Sequence, residues 1–248
     1  MDSRIREALN FDDVKTQASG SQESVTTVEF KILLKRAYGQ SENYDPLFDM
    51  ATGRYLLHST VKASHIFQRQ WKKVLSHFSE LEDINHPCNG LLLYGPVEWA
   101  FDHAQLCVEI RDGCMSFLLL DKKLAKIKLT NKAIELQLKN KRPATLNQQE
   151  EGIQTTFGDL DGQAVFFPPS SQMRPSKRLL ALHAYSSWVQ ASRSEPSSQI
   201  PYPIYDLSAD GDLSGDEQTT VTLNTTINLW KSNVKKGRWE SGSDQPDR

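Results

Sequence analysis

The amino-acid sequence predicts an α+β fold, with helices and short strands alternating along one domain and polar segments at both ends. Three observations carry this. Apolar residues recur at helical spacing between Phe30 and Ala37. Short β-branched and apolar runs, bounded by turn residues, fill 47–66. The apolar stretch "NGLLLY" at 89–94 leads into Gly95-Pro96, and proline suits the first position of a helix. A chain of 248 residues has room for one sizeable core plus tails. A hydrophobic fraction of 38% and a mean hydropathy of −0.53 fit an ordinary domain diluted by polar ends. Net charge is −2, which excludes attraction to nucleic acid by bulk charge; any such attraction must be local.

Taken in order, residues 14–27 are small and polar, and 1–25 read as a disordered N-terminus. Thr26-Thr27-Val28-Glu29 has the form of a capping box, with Phe30, Leu33, Leu34 and Ala37 on one face and Gly39 as terminator. The stretch 47–66 predicts strands around a Thr52-Gly53 turn, and a helix is expected over 66–81 with Phe67, Trp71, Val74, Leu75 and Phe78 inward. Pro96 opens a short helix, and a strand follows it. The alternation in "KKLAKIKLTNKAIELQLKNKR" at 122–142 predicts a lysine-rich β-hairpin turning near Asn131. A last helix begins near Pro175, with Leu179, Leu182, Tyr185, Trp188 and Val189 inward. The domain is expected over 26–192, followed by a disordered low-complexity tail over 193–248 that offers a segment for a protein partner.

Three cysteines at unrelated spacings predict neither a disulfide framework nor a zinc site. No stretch has the length and apolarity of a membrane span, and the first residues lack a signal-peptide core. The expectation is an intracellular protein, nuclear or cytoplasmic, with no membrane partner.

Four short stretches, in this order, carry a resemblance: "DMATG" at 49–53, "ASHIF" at 63–67, "NGLLL" at 89–93 and "EWAFD" at 98–102. They resemble the HNH endonucleases, in particular the branch common in fungal genomes, whose members typically read C-V-V-T-G, A-H-I-x-P, N-G-L-L-L and H-x-x-F-D. The resemblance extends over roughly 28–192 and implies a ββα-metal core, here with an added β-hairpin and helices. It implies a divalent-metal-dependent endonuclease that hydrolyses nucleic-acid phosphodiesters, DNA ahead of RNA. His65 would be the general base, a task suited to an imidazole that titrates near neutrality. Asn89 would be the residue bracing the hairpin that carries it.

Three positions depart from that pattern. Glu98 stands where the family has a metal-binding histidine, Asp49 where it has cysteine, and Gln68 where it has proline. Glu98 and Asp102 lie four residues apart on one helix face, so both could reach one cation. Carboxylates suit magnesium or manganese first, with zinc a second choice; Asp49 is a more distant candidate. Equally, Glu98 and Asp102 could be carboxylates stabilised by the helix dipole alone, and the missing histidine also fits a catalytically degenerate module that binds nucleic acid or protein. Arg69, Lys72, Lys73, Lys126 and Lys128 are the candidate phosphate contacts, against the alternative of a solvated lysine face. His58, His77, His86 and His183 read as structural or exposed, and His103 as out of register.

Overall fold

The computed structural model describes residues 25–41, 46–69, 72, 75, 76, 79–194, 200 and 202–204. The chain divides into two units, 1–207 and 208–248, and only the first contains described residues.

Helix α1 (Val25–Ala37) comes first. Thr26 lies inside it, and the Thr26 side chain, on which the capping-box expectation rests, lies outside the described residues. Its buried face is Phe30, Lys31, Leu34, Lys35 and Tyr38, while Leu33 is exposed. Lys31 can be buried because its ammonium donates to the His58 carbonyl at 2.6 Å. The helix ends as expected at Gly39, whose φ of 67° lets the Gly39 and Gln40 amides turn back onto the Arg36 and Lys35 carbonyls.

Strands β1 (Leu47–Asp49) and β2 (Arg54–Leu56) form a small antiparallel hairpin around Gly53. Strand β3 (Val61–His65) pairs antiparallel with β4 (Gly90–Tyr94), placing His65 opposite Gly90 and Ser64 opposite Leu91. Helix α2 (Gly95–Asp102) leaves β4 without a loop, its second residue being Pro96. The unit β3–β4–α2 is thus a ββα arrangement. All five β4 residues are buried, because α1 packs on the hairpin as well as α2.

Between β3 and β4 the chain forms a long excursion. Ile66-Phe67-Gln68 is not helical, although Phe67 and Leu75 are buried as the expected apolar stripe requires. Trp71, Lys73, Val74, His77 and Phe78 lie outside the described residues. The excursion closes through a 3-10 turn over Pro87–Asn89.

After α2 comes the antiparallel pair β5 (Leu106–Arg111) and β6 (Cys114–Leu119), turning at Asp112 and Gly113, both with positive φ. The lysine-rich hairpin expected over 122–142 is instead a 3-10 turn at Lys122–Leu124 followed by helix α3 (Leu129–Lys139). Its sequence is built from strong helix formers, Lys, Ala, Glu, Leu and Gln, and the alternation that suggests strands also places Leu129 and Ala133 one turn apart on a buried face. Two one-turn helices, α4 (Gln148–Glu151) and α5 (Phe157–Leu160), each begin with a complete capping box. Helix α6 (Lys177–Ser194) packs on β5, burying Leu179, Leu182, Tyr185 and Val189 as expected. Within the segment expected as tail, Ile204 accepts from the Ile110 amide at 2.7 Å and Tyr202 meets the Trp188 ring edge-on.

Candidate active site

Successive residues of a strand point to opposite faces of its sheet, so His65 and Ser64 face different neighbours. His65 lies on the α1 side, its ring stacked on Phe30 with centroids 3.8 Å apart and planes 14° apart. Its partner across the ladder, Gly90, explains how α1 comes so near. A Cβ there would sit 2.4 Å from Phe30 Cζ and 2.8 Å from Leu34 Cδ2. Ser64 lies on the α2 side, where its hydroxyl is 3.2 Å from Asp102 Oδ1.

Asn89 holds this corner together. Its Oδ1 accepts from the Phe67 amide at 2.7 Å, and its Nδ2 donates to the Phe67 and Ile84 carbonyls at 3.1 and 2.8 Å. Its own carbonyl accepts from Ile66 N. The fully buried side chain therefore ties the residues just after His65 to the far end of the excursion.

His65 is half-buried. Loss of hydration pushes its pKa down to about 4; the Asn85 hydrogen bond and the charge of Asp83 oppose this, and the Arg69 charge adds to it. The ring is thus neutral near pH 7, with Nε2 3.0 Å from Asn85 Oδ1. Asn85 carries no motif, and only its position before the Pro87–Asn89 turn could have drawn attention to it.

Glu98 and Asp102 meet on α2, one turn apart, and their carboxyl groups hydrogen-bond to each other. Protein packed around the Asp102 carboxyl pushes its pKa up to about 6, against lowering by hydrogen bonds from Ser64 and Glu98. Asp102 as a residue is exposed, so solvent contact relieves part of that penalty. Two hard oxygen ligands with water access suit magnesium or manganese, which bind through one or two carboxylates and keep several waters. Zinc sites add nitrogen or sulfur ligands, which this pair by itself does not supply. Among the described residues no group of three or more His, Cys, Asp or Glu side chains could hold a metal ion.

Asp49 is not part of this pair. It is fully buried and accepts from the amides of Tyr94, Ala51 and Thr52 and from the Thr52 hydroxyl, pinning the β1–β2 turn to the end of β4. Burial raises its pKa and those bonds lower it. His183 is also structural, buried on α6 with its ring stacked on Phe101 at 3.7 Å. His103 stacks on Trp99 at 4.6 Å and bonds the Trp99 carbonyl through Nδ1.

Of the five candidate phosphate contacts, four are among the described residues. Arg69 is exposed and close enough for its charge to act on His65, and Lys72 is exposed nearby in sequence. Lys73 lies outside the described residues. Lys126 and Lys128 are exposed ahead of α3, with Lys128 Nζ on Gln154 Oε1 at 2.8 Å. From the same lysine-rich stretch, Lys132 is buried over the Trp99 ring, 3.8 Å from its centroid, and paired with Glu135.

Residues 45–109, a span that runs from β1 into β5 and holds His65, Asn89, Glu98 and Asp102, match the family model described as HNH endonuclease. No match was found among the curated proteins or among the solved structures.

Proposed function

We propose, from the premise that residues 45–109 carry an HNH endonuclease segment, that the protein is a divalent-metal-dependent phosphodiester hydrolase acting on nucleic acid, DNA ahead of RNA. The observation that supports this best is the ββα unit itself, which ends β3 on a neutral, oriented His65 and carries the Glu98–Asp102 carboxyl pair on α2. The two are joined through the β3 backbone, since His65 faces α1 while its neighbour Ser64 bonds Asp102 on the other face.

Each residue then has a defined task. His65 takes a proton from the attacking water; it is already neutral at pH 7, while burial makes it a weaker base than an imidazole that titrates near neutrality. Asn89 keeps the backbone on either side of the excursion fixed, so the imidazole does not drift. Arg69, whose charge reaches His65, attracts the scissile phosphate to the base. Glu98 and Asp102 would hold the magnesium or manganese ion, which when bound supplies charge neutralisation at the phosphate and at the leaving oxygen.

A second reading, a degenerate module that binds nucleic acid or a partner protein without cutting, is favoured by one fact. The carboxyl pair has no third His, Cys, Asp or Glu beside it among the described residues. Plasmid nicking with magnesium and with manganese separates the two. The hydrolase reading expects metal-dependent nicks that fall at least ~100-fold in His65→Ala and in Glu98→Ala. Wild type as inert as both variants in either metal, with DNA still bound in a gel-shift assay, would establish the binding module instead.

A further inference from the structure

We propose that Asn85 is the positioning residue of His65: its side-chain carbonyl holds the Nε2 proton and leaves Nδ1 as the basic atom. Two contacts fix the ring. Nε2 meets Asn85 Oδ1 at 3.0 Å, and Phe30 stacks on its face at 3.8 Å. Neutral imidazole carries one N–H, and the nitrogen facing an acceptor is the one that keeps it. The charged groups acting on the ring are Arg69 and Asp83, and from α1 its contact is the uncharged Phe30.

Asn85 is itself held. Its amide donates to Asp83 Oδ1 at 3.0 Å, and the His86 amide donates to the Asp83 carbonyl. The neighbouring Ile84 is buried and its carbonyl is bonded by Asn89. Asn89 therefore fixes both segments, the one following His65 and the one carrying Asn85, and the Nε2–Oδ1 contact depends on that clamp. The task of Asn85 in catalysis rests on the hydrolase reading; its hold on the tautomer does not.

The test is 15N imidazole NMR of the whole chain at pH 7, with His65→Gln to assign the signal, beside Asn85→Ala and Asn85→Asp. Wild type is expected to show Nε2 protonated and Nδ1 unprotonated. Asn85→Ala should move His65 toward a mixture of tautomers. Asn85→Asp keeps the acceptor and adds a charge, so it should retain the tautomer and raise the imidazole pKa by about one unit or more. In nicking assays, Asn85→Ala should lower kcat roughly 10–100-fold with KM little changed. Asn85→Asp should recover part of that with its acid limb at higher pH. A wild-type spectrum with Nδ1 protonated, or one that neither substitution alters, overturns the proposal. The expected spectra with no nicking in any metal would keep Asn85 as positioning residue and remove the hydrolase reading alone.

Discussion

Asn89 shows how much one residue can hold at this corner. Its side chain makes three hydrogen bonds to backbone groups of Phe67 and Ile84 in a site with no solvent contact. Removing it leaves one amide and two carbonyls facing apolar packing, at about 1–3 kcal/mol for each group left unpaired. Asn89→Ala is therefore expected to lower unfolding stability by roughly 2–4 kcal/mol, below the plain sum because local relaxation admits water. Urea unfolding measures it; a loss under ~0.5 kcal/mol would mean that the clamp is dispensable. The sequence singles out Asn89 as a brace only through the resemblance, and the structure supplies its hydrogen-bond partners. Asn85 was not legible, because a single side chain reaching back 20 residues to His65 leaves no periodicity or spacing to read.

At the scale of elements, "NGLLL" separates into distinct physical demands. Asn89 clamps, Gly90 lets α1 close, and Leu91, Leu92 and Leu93 fill a strand buried between helices. The middle demand is testable. Gly90→Ala would place a methyl 2.4 Å from Phe30 Cζ, and Phe30 is fully buried beneath His65, so its ring has little room to yield. Overpacking of this kind costs about 1–3 kcal/mol. The shifted Phe30 would also carry the His65 ring with it, so activity should fall more than stability alone explains. Thermal melting and nicking at a temperature where the variant is folded check this; a variant with wild-type melting and wild-type rate refutes the close approach of α1. Sequence patterning located β1 to β4, α2 and α6 because their apolar periodicities are unambiguous. It failed over 122–142, where Ile127, Leu129, Ile134, Leu136 and Leu138 satisfy periods of two and of 3.6 in part, and helix propensity decided the outcome. One lysine of that stretch, Lys132, turns inward onto Trp99.

Across the whole molecule, two imidazole–phenyl stacks join outer helices to the central unit. His65 meets Phe30 of α1, and His183 of α6 meets Phe101 of α2. Burial lowers both pKa values, to about 4 and about 3. An unfolded histidine titrates near 6.5, so below that pH the unfolded chain takes up protons that the folded one refuses. The contribution of both residues is complete above pH 6.5 and is lost as pH falls toward their folded values. Asp49 and Asp102 pull the other way, since their raised pKa values make the folded state bind protons more readily. The net curve mixes both effects, and a substitution isolates one. His183 is 7% exposed, so its term is little screened, and between pH 7 and pH 5 it amounts to about 2 kcal/mol. His183→Phe keeps a flat ring against Phe101 and carries no proton. Whatever its stability at pH 7, it should lose about 2 kcal/mol less than wild type on going to pH 5, a gap of several degrees in melting temperature. Parallel pH dependences for the two proteins would show that His183 is protonated in the folded state, and that its stack on Phe101 does not hold α6 through a neutral ring.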